Sequence, residues 1–173
     1  MIQENLSKIN SYLSFKLGEE EFAAHVSKVL NILEMTKVTE VPKAPPYMKG
    51  VINLRGTVLP VVDTRIKFGM SATVNTTNTC IIVLDIQLDG ESIQVGALVD
   101  AVQAVLEFDK DKILPPPSIG SKYKSEFIEG VVNINEKFIM ILDMDAVFSC
   151  NELSSMQDQT KETELTTQIE EIK

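Results

Sequence analysis

No run of apolar residues in this chain approaches the roughly 20 needed to cross a bilayer. The stretch Met1–Asn10 has neither the basic start nor the apolar run of a secretory signal. Tryptophan is absent, and the ten aromatics are three tyrosines and seven phenylalanines, which leaves little to line a sugar-binding cleft. There is one histidine, His25, and two cysteines, Cys80 and Cys150, so no Cys/His metal spacing can be built. A phosphate-cradling glycine loop and a nucleophile elbow are missing as well. Basic residues are outnumbered 16 to 25, and the net charge of −9 argues against nucleic acid or an anionic membrane as partner. These gaps point away from enzymes and cofactor carriers and towards a cytoplasmic protein that works by contact.

With 44% hydrophobic residues over 173, the chain can build one compact domain, or two very small ones sharing a core. Laid against itself, it shows a duplication. Residues 47–68, YMKGVINLRGTVLPVVDTRIKF, match residues 127–148, FIEGVVNINEKFIMILDMDAVF, at a constant offset of 80. Gly50, Val51, Asn53, Asp63 and Phe68 recur as Gly130, Val131, Asn133, Asp143 and Phe148, and Val58/Phe138 is one of several apolar exchanges. Upstream, HVSKVLNILEM (25–35) matches LVDAVQAVLEF (98–108) at an offset of 73, and Val41-Pro42 matches Leu114-Pro115. Seven extra residues are therefore expected between Pro115 and Phe127, a loop insertion by composition. Each copy is close to 60 residues, too small to be comfortably stable alone, so the copies should pack on or interleave with each other.

Within a copy, Tyr12–Leu17 alternates like a half-buried strand and ends at Gly18-Glu19-Glu20. Its counterpart, Cys80–Leu88, is nearly all aliphatic, and Asp89-Gly90 then signals a hairpin into Ser92–Ala97. Val26–Met35, and Val99–Phe108 with it, reads as a helical turn running into a strand that Pro42 and Pro115 stop. Gly50–Leu54 and Thr57–Val62 form a second hairpin about Arg55-Gly56. Asp63 and Asp143 close its second strand, where an aspartate bonds the backbone amides of the next turn rather than performing catalysis. About five strands per copy with tight turns between them predict a small barrel.

Positions alike in both copies are explained by folding, so function is to be sought where matched positions differ. The hairpin tip is one such place: Arg55-Gly56 in the first copy, Asn135-Glu136 in the second. A guanidinium suits multi-bond recognition of a partner's carboxylate or backbone. The tail 151–173 has two lysines and six acids, no glycine, proline or aromatic residue, and reads as flexible, as does the segment 1–11. Leu165, Ile169 and Ile172 give it helical spacing against a partner. Cys80 and Cys150 read as free thiols.

The run Val41-Pro42-Lys43-Ala44-Pro45-Pro46 through Gly50-Val51-Ile52-Asn53-Leu54-Arg55-Gly56, and on through Pro60-Val61-Val62-Asp63 to Phe68, resembles the CheW-like domain family of bacterial chemotaxis. The resemblance runs from about Tyr12 to Phe148. It implies an all-β fold of two intertwined SH3-like five-stranded β-barrels with short helical segments. One domain over 12–150 is expected, with barrel 1 near 12–73 and barrel 2 near 76–148. The function implied is a non-enzymatic adaptor, without cofactor, that couples methyl-accepting chemoreceptors to a CheA-type histidine kinase. The chain would be a monomer in isolation and would meet the inner face of the membrane only through receptor arrays. Carried over by motif, the receptor tip would lie in a groove between the barrels against Val29, Arg55, Cys80, Val102 and Val105. The kinase regulatory domain would take the exposed barrel ends, with no residues assigned. Asn31 stands where the family often has an acid, and Phe22-Ala23-Ala24 replaces a usual Tyr-Gly pair. Two other readings are a paralogue serving a non-chemotactic kinase pathway and a barrel for a small ligand, the latter disfavoured by the scarce aromatics.

Overall fold

A computed structural model describes residues 10–116 and 127–149. The insertion loop, the acidic tail and Cys150 lie outside the described residues. Ten strands occur in two matching sets of five. The first set is β1 (Ser11–Leu17), β2 (Glu20–His25), β3 (Val29–Glu34), β4 (Met48–Leu54) and β5 (Thr57–Asp63), followed by a helical turn α1 (Thr64–Lys67). The second is β6 (Cys80–Leu88), β7 (Glu91–Val99), β8 (Ala101–Glu107), β9 (Ile128–Ile134) and β10 (Lys137–Leu142), followed by α2 (Met144–Ser149). β9 is β4 displaced by 80 residues, in agreement with the self-alignment.

The strands do not sort by copy. One sheet runs β8-β1-β2-β10-β9 and the other β3-β6-β7-β5-β4. Each copy lends its first hairpin to the sheet built by the other copy's last three strands, and the two orders interconvert when every strand is replaced by its mate. The chain is thus two intertwined five-stranded units.

Connection length explains the exchange. β1 pairs antiparallel with both β2 and β8, so β2 and β8 run parallel in their sheet. Were β3 to take the place of its mate β8, it would run parallel to β2, and that needs a crossover of about a dozen residues. Only Val26–Lys28, a 3-10 turn, separates β2 from β3, and only Asp100 separates β7 from β8. Neither copy can close on its own hairpin. The helical turn expected before both strands occurs in the first copy alone; in the second, the chain merely bends at Asp100.

Exchange buries the first hairpins on both faces. Tyr12 enters a small cluster inside its own sheet with Ala23, Phe108, Val132, Ile139 and Ile141. Leu13, Phe15 and Leu17, by contrast, enter a large core shared with Ile82, Leu84, Ile86 and Phe148. Ile52, Leu59, Val61, Ile81, Val83 and Leu98 form the matching cluster of the other sheet. β1 is therefore not the half-buried strand its alternation predicted. Ser14 is fully buried, its hydroxyl donating to the Ala104 carbonyl at 3.1 Å and accepting from the Ala104 amide at 3.2 Å. Phe22 stacks on Phe68 at 5.5 Å, and Phe68 lies against Phe127 at 6.3 Å, so aromatic packing crosses from copy to copy.

Identical residues in the two copies prove structural. Asp63 accepts from the Arg65 amide and from the amide and hydroxyl of Thr73, and Asp143 accepts from the Ala146 amide. Past each outer strand the chain bridges back to the far edge, Thr39 to Val51 and Leu114 to Val131. These bridges correct the proline alignment: the mate of Leu114 is Thr39, an offset of 75, not Val41. Two of the seven added residues precede Leu114, taken up by the 3-10 turn Lys110–Lys112. Both strands also end well before their prolines, at Glu34 and Glu107.

The bridges account for one recurring glycine. A Cβ on Gly50 would run into the Thr39 carbonyl, and one on Gly130 would stand 2.5 Å from that of Leu114. At the hairpin tips both turn residues have positive φ: Arg55 (51°) and Gly56 (83°), then Asn135 (52°) and Glu136 (68°). Glu136 takes without relief a conformation that costs a side chain about 1 kcal/mol. Glu136→Gly should therefore stabilise the protein by about 0.5–1 kcal/mol, while Gly130→Ala should destabilise it by about 2 kcal/mol or more. Urea unfolding midpoints read both.

Candidate partner-binding surface

β3 and β8 are edge strands and pseudo-twofold mates. Their first long side chains, Val29 and Val102, are half-buried and pack on the same shared core. Cys80 opens β6 opposite Glu34 of β3 and Val99 of β7, is itself buried in that core, and has a hydrogen bond with the Val102 backbone. Of the five anticipated receptor residues, Cys80 and Val102 are thus neighbours, while Val29 packs on the same shared core from the other end of β3, opposite Leu84. Further along β8, Val105 turns outward and is 59% exposed; its mate Ile32 is 43% exposed and Leu30 is 50% exposed on β3. Water-facing aliphatics on two symmetry-related edges are the kind of surface that a protein partner covers.

Arg55 stands exposed on the β4–β5 tip, at the other edge of the sheet from β3. The turn is closed beneath it by the Gly56 amide donating to Asn53 Oδ1 at 2.8 Å. Asn31, on β3, is neutral, and its side-chain oxygen accepts from the Ile32 amide at 2.8 Å. Among the described residues no ion pair holds Arg55, which leaves the guanidinium available to a carboxylate from outside the chain.

A second exposed pair was not singled out from the sequence. Val58 is 69% and Phe138 63% exposed, each one residue past the start of the second strand of its hairpin, β5 or β10. Phe138 borders an open groove of about 780 Å³ floored by Leu114, Val131 and Met140 and rimmed by Lys16 and Glu21. The Val58/Phe138 match is visible in the self-alignment, but apolar-for-apolar exchange reads there as core. Strand alternation holds the usable signal, since Val58 and Phe138 point away from the buried Leu59 and Ile139.

His25 is structural: its ring nitrogen accepts from the Ser27 amide at the start of the 3-10 turn, and its ring meets Tyr12 edge-on. Among the described residues no three His, Cys, Asp or Glu side chains gather as a metal site, and no helix is long and apolar enough to cross a membrane.

Comparison with known proteins agrees with this geometry. The family model for the CheW-like domain matches residues 11–152. The chemotaxis protein CheW of Rhizobium meliloti is 39% identical over 140 residues, covering 81% of this chain and 88% of that protein. That of Klebsiella aerogenes is 31% identical over 150 residues, covering 87% and 88%. The crystal structure of the scaffolding protein TtCheW from Thermoanaerobacter tengcongensis superposes with a TM-score of 0.74 at 29% identity, covering 83% of this chain and 90% of that one.

Burial pushes the Cys80 thiol above its ordinary range, and the hydrogen bond with the Val102 backbone offsets part of this. Iodoacetamide at neutral to mildly basic pH should therefore modify Cys80 at least about tenfold more slowly in the folded chain than in urea. Mass analysis of the Cys80 peptide, distinct from that of Cys150, checks it.

Proposed function

The chain belongs to the CheW-like domain family, and from that membership we propose that it is the adaptor coupling methyl-accepting chemoreceptors to a CheA-type histidine kinase in bacterial chemotaxis. The observation that carries the partner reading is the pair of symmetry-related edge strands, whose aliphatic side chains meet water over a shared core. Receptor tips are helical, and a helix lays an apolar stripe into such a groove through anchors spaced three and four residues apart. Val29, Val102 and Cys80 would form the floor of that groove, Val105 its wall, and Arg55 would reach a carboxylate or carbonyl of the receptor. The kinase regulatory domain, itself of this fold, would take the exposed barrel ends, for which Val58 and Phe138 are suitable anchors.

No bond is made or broken in this role. The adaptor holds both partners, and receptor state shifts the relative stability of the assembled arrangements. In the cell it would be cytoplasmic, held near the membrane by its receptors, with no segment inserted.

Because Arg55 is an exposed turn residue, Arg55→Ala should change unfolding free energy by no more than about 0.5 kcal/mol. As an interface anchor its loss should weaken receptor-tip binding by about 2 kcal/mol, roughly thirtyfold. Phe138→Ser should weaken binding of the kinase regulatory domain and leave receptor binding intact. Calorimetric titration with each partner separates the two; if receptor affinity is unchanged in Arg55→Ala, Arg55 is not part of that surface.

A further inference from the structure

Two ion pairs join the exchanged hairpins to the halves that receive them, and their polarity is reversed. Arg65 of α1 donates through Nε and Nη2 to the Asp100 carboxylate at 2.6–2.9 Å, which also accepts from the Gly18 amide at 2.5 Å. Asp145 of α2 accepts from Lys28 Nζ at 2.6 Å and from the Gln87 amide at 2.9 Å. Arg65 and Asp145 are mates at the offset of 80, and Lys28 stands one residue past the mate of Asp100 at the offset of 73. So the same contact is made twice, with the cation on the helix in one case and on the strand junction in the other. Both pairs join residues of different copies. A third position follows the pattern: Lys49 has Glu129 as its mate, and Glu129 lies in the field of Lys28, Lys110, Asp143 and Asp145. The copies also differ as wholes. Residues 10–79 carry eight basic and six acidic side chains, net +2; residues 80–149 carry five and twelve, net −7.

Reversal matters because the exchange, being forced by short connections, does not itself say whose hairpin is received. In a concentrated or newly made population, a first half can accept the hairpin of another chain's first half, giving a dimer in which like halves interlock. In that dimer Arg65 would replace Asp145 at Lys28, and Asp145 would replace Arg65 at Asp100. Every attractive contact becomes a repulsive one, and Lys49 brings a further cation towards Lys28. Ion pairs at this exposure, with side chains 19–30% accessible, add little stability singly. Their difference between two assemblies is larger, because four contacts change sign together.

We infer that the opposed polarity of Arg65–Asp100 and Lys28–Asp145 selects pairing of the two unlike halves and so keeps the chain from interlocking with a second copy of itself.

Charge inversion in the full chain tests this. The double variant Arg65→Asp/Asp100→Arg keeps an attractive pair in the monomer, but makes the contacts of like halves attractive at both Lys28 and Asp145. The double variant Lys28→Asp/Asp145→Lys does the same through the other pair. All four substitutions together restore like-charge repulsion between like halves. Each protein is refolded from urea at about 100 μM, where exchange between chains competes, and sized by chromatography with light scattering. The expected result is a monomer for the parent, roughly tenfold more dimer for either double variant at matched melting temperature, the change that 1.4 kcal/mol produces, and return to monomer for the quadruple variant. A double variant that refolds and is no more dimeric than the parent overturns the inference, as does a quadruple variant as dimeric as the doubles. If one double variant fails to refold, the other carries the test.

Discussion

Three residues between β2 and β3, and one between β7 and β8, are the constraint on which everything else in this molecule depends. A chain that must place its third strand parallel to its second cannot do so across such a gap. It can, however, send the third strand into a neighbouring sheet while the first hairpin stays behind. With two copies in one chain, each provides the neighbour the other lacks. A unit of about 60 residues, marginal by itself, then gains a core larger than either copy could build.

That core defines the surface. Because the exchanged hairpins are covered on both sides, exposed apolar side chains lie elsewhere, among them those of the edge strands β3 and β8 and of the β4–β5 and β9–β10 tips. Each tip lies at the other edge of its sheet from the edge strand β3 or β8, so the two sets of exposed side chains are separate. The symmetry is broken at the hairpin tips: the mate of Arg55 is the neutral Asn135, and Phe138 is far larger than Val58. It is broken again in the ion pairs, where the difference acts within the chain rather than towards a partner.

Much of the fold was legible because duplication gives a sequence its own reference. The offset of 80 located β4, β5 and α1 with their mates, and the Asp89-Gly90 and Arg55-Gly56 turns lie where composition put them. Ser14 was misread for a definite reason: a hydroxyl in an alternating strand looks solvent-facing unless its partner is known, and that partner is the backbone of Ala104, 90 residues away. The proline pair misled because Pro42 and Pro115 align by identity while the backbone bridges occur at Thr39 and Leu114. Of the candidate site, Val29 and Val102 follow from the repeat and the family resemblance together. Phe138 stayed hidden because an apolar residue matched to an apolar residue looks like core.

By itself the sequence determined the strand inventory, the turns, the doubling and the family, since each rests on local spacing or on comparison of one stretch with another. Which copy's hairpin completes which sheet was decided only by the tertiary structure. Strand pairing is non-local, and both partners of every pair have a near-twin elsewhere in the chain. The same twinning hid the ion pairs: Arg65, Asp100, Lys28 and Asp145 are ordinary surface charges until exchange sets them face to face.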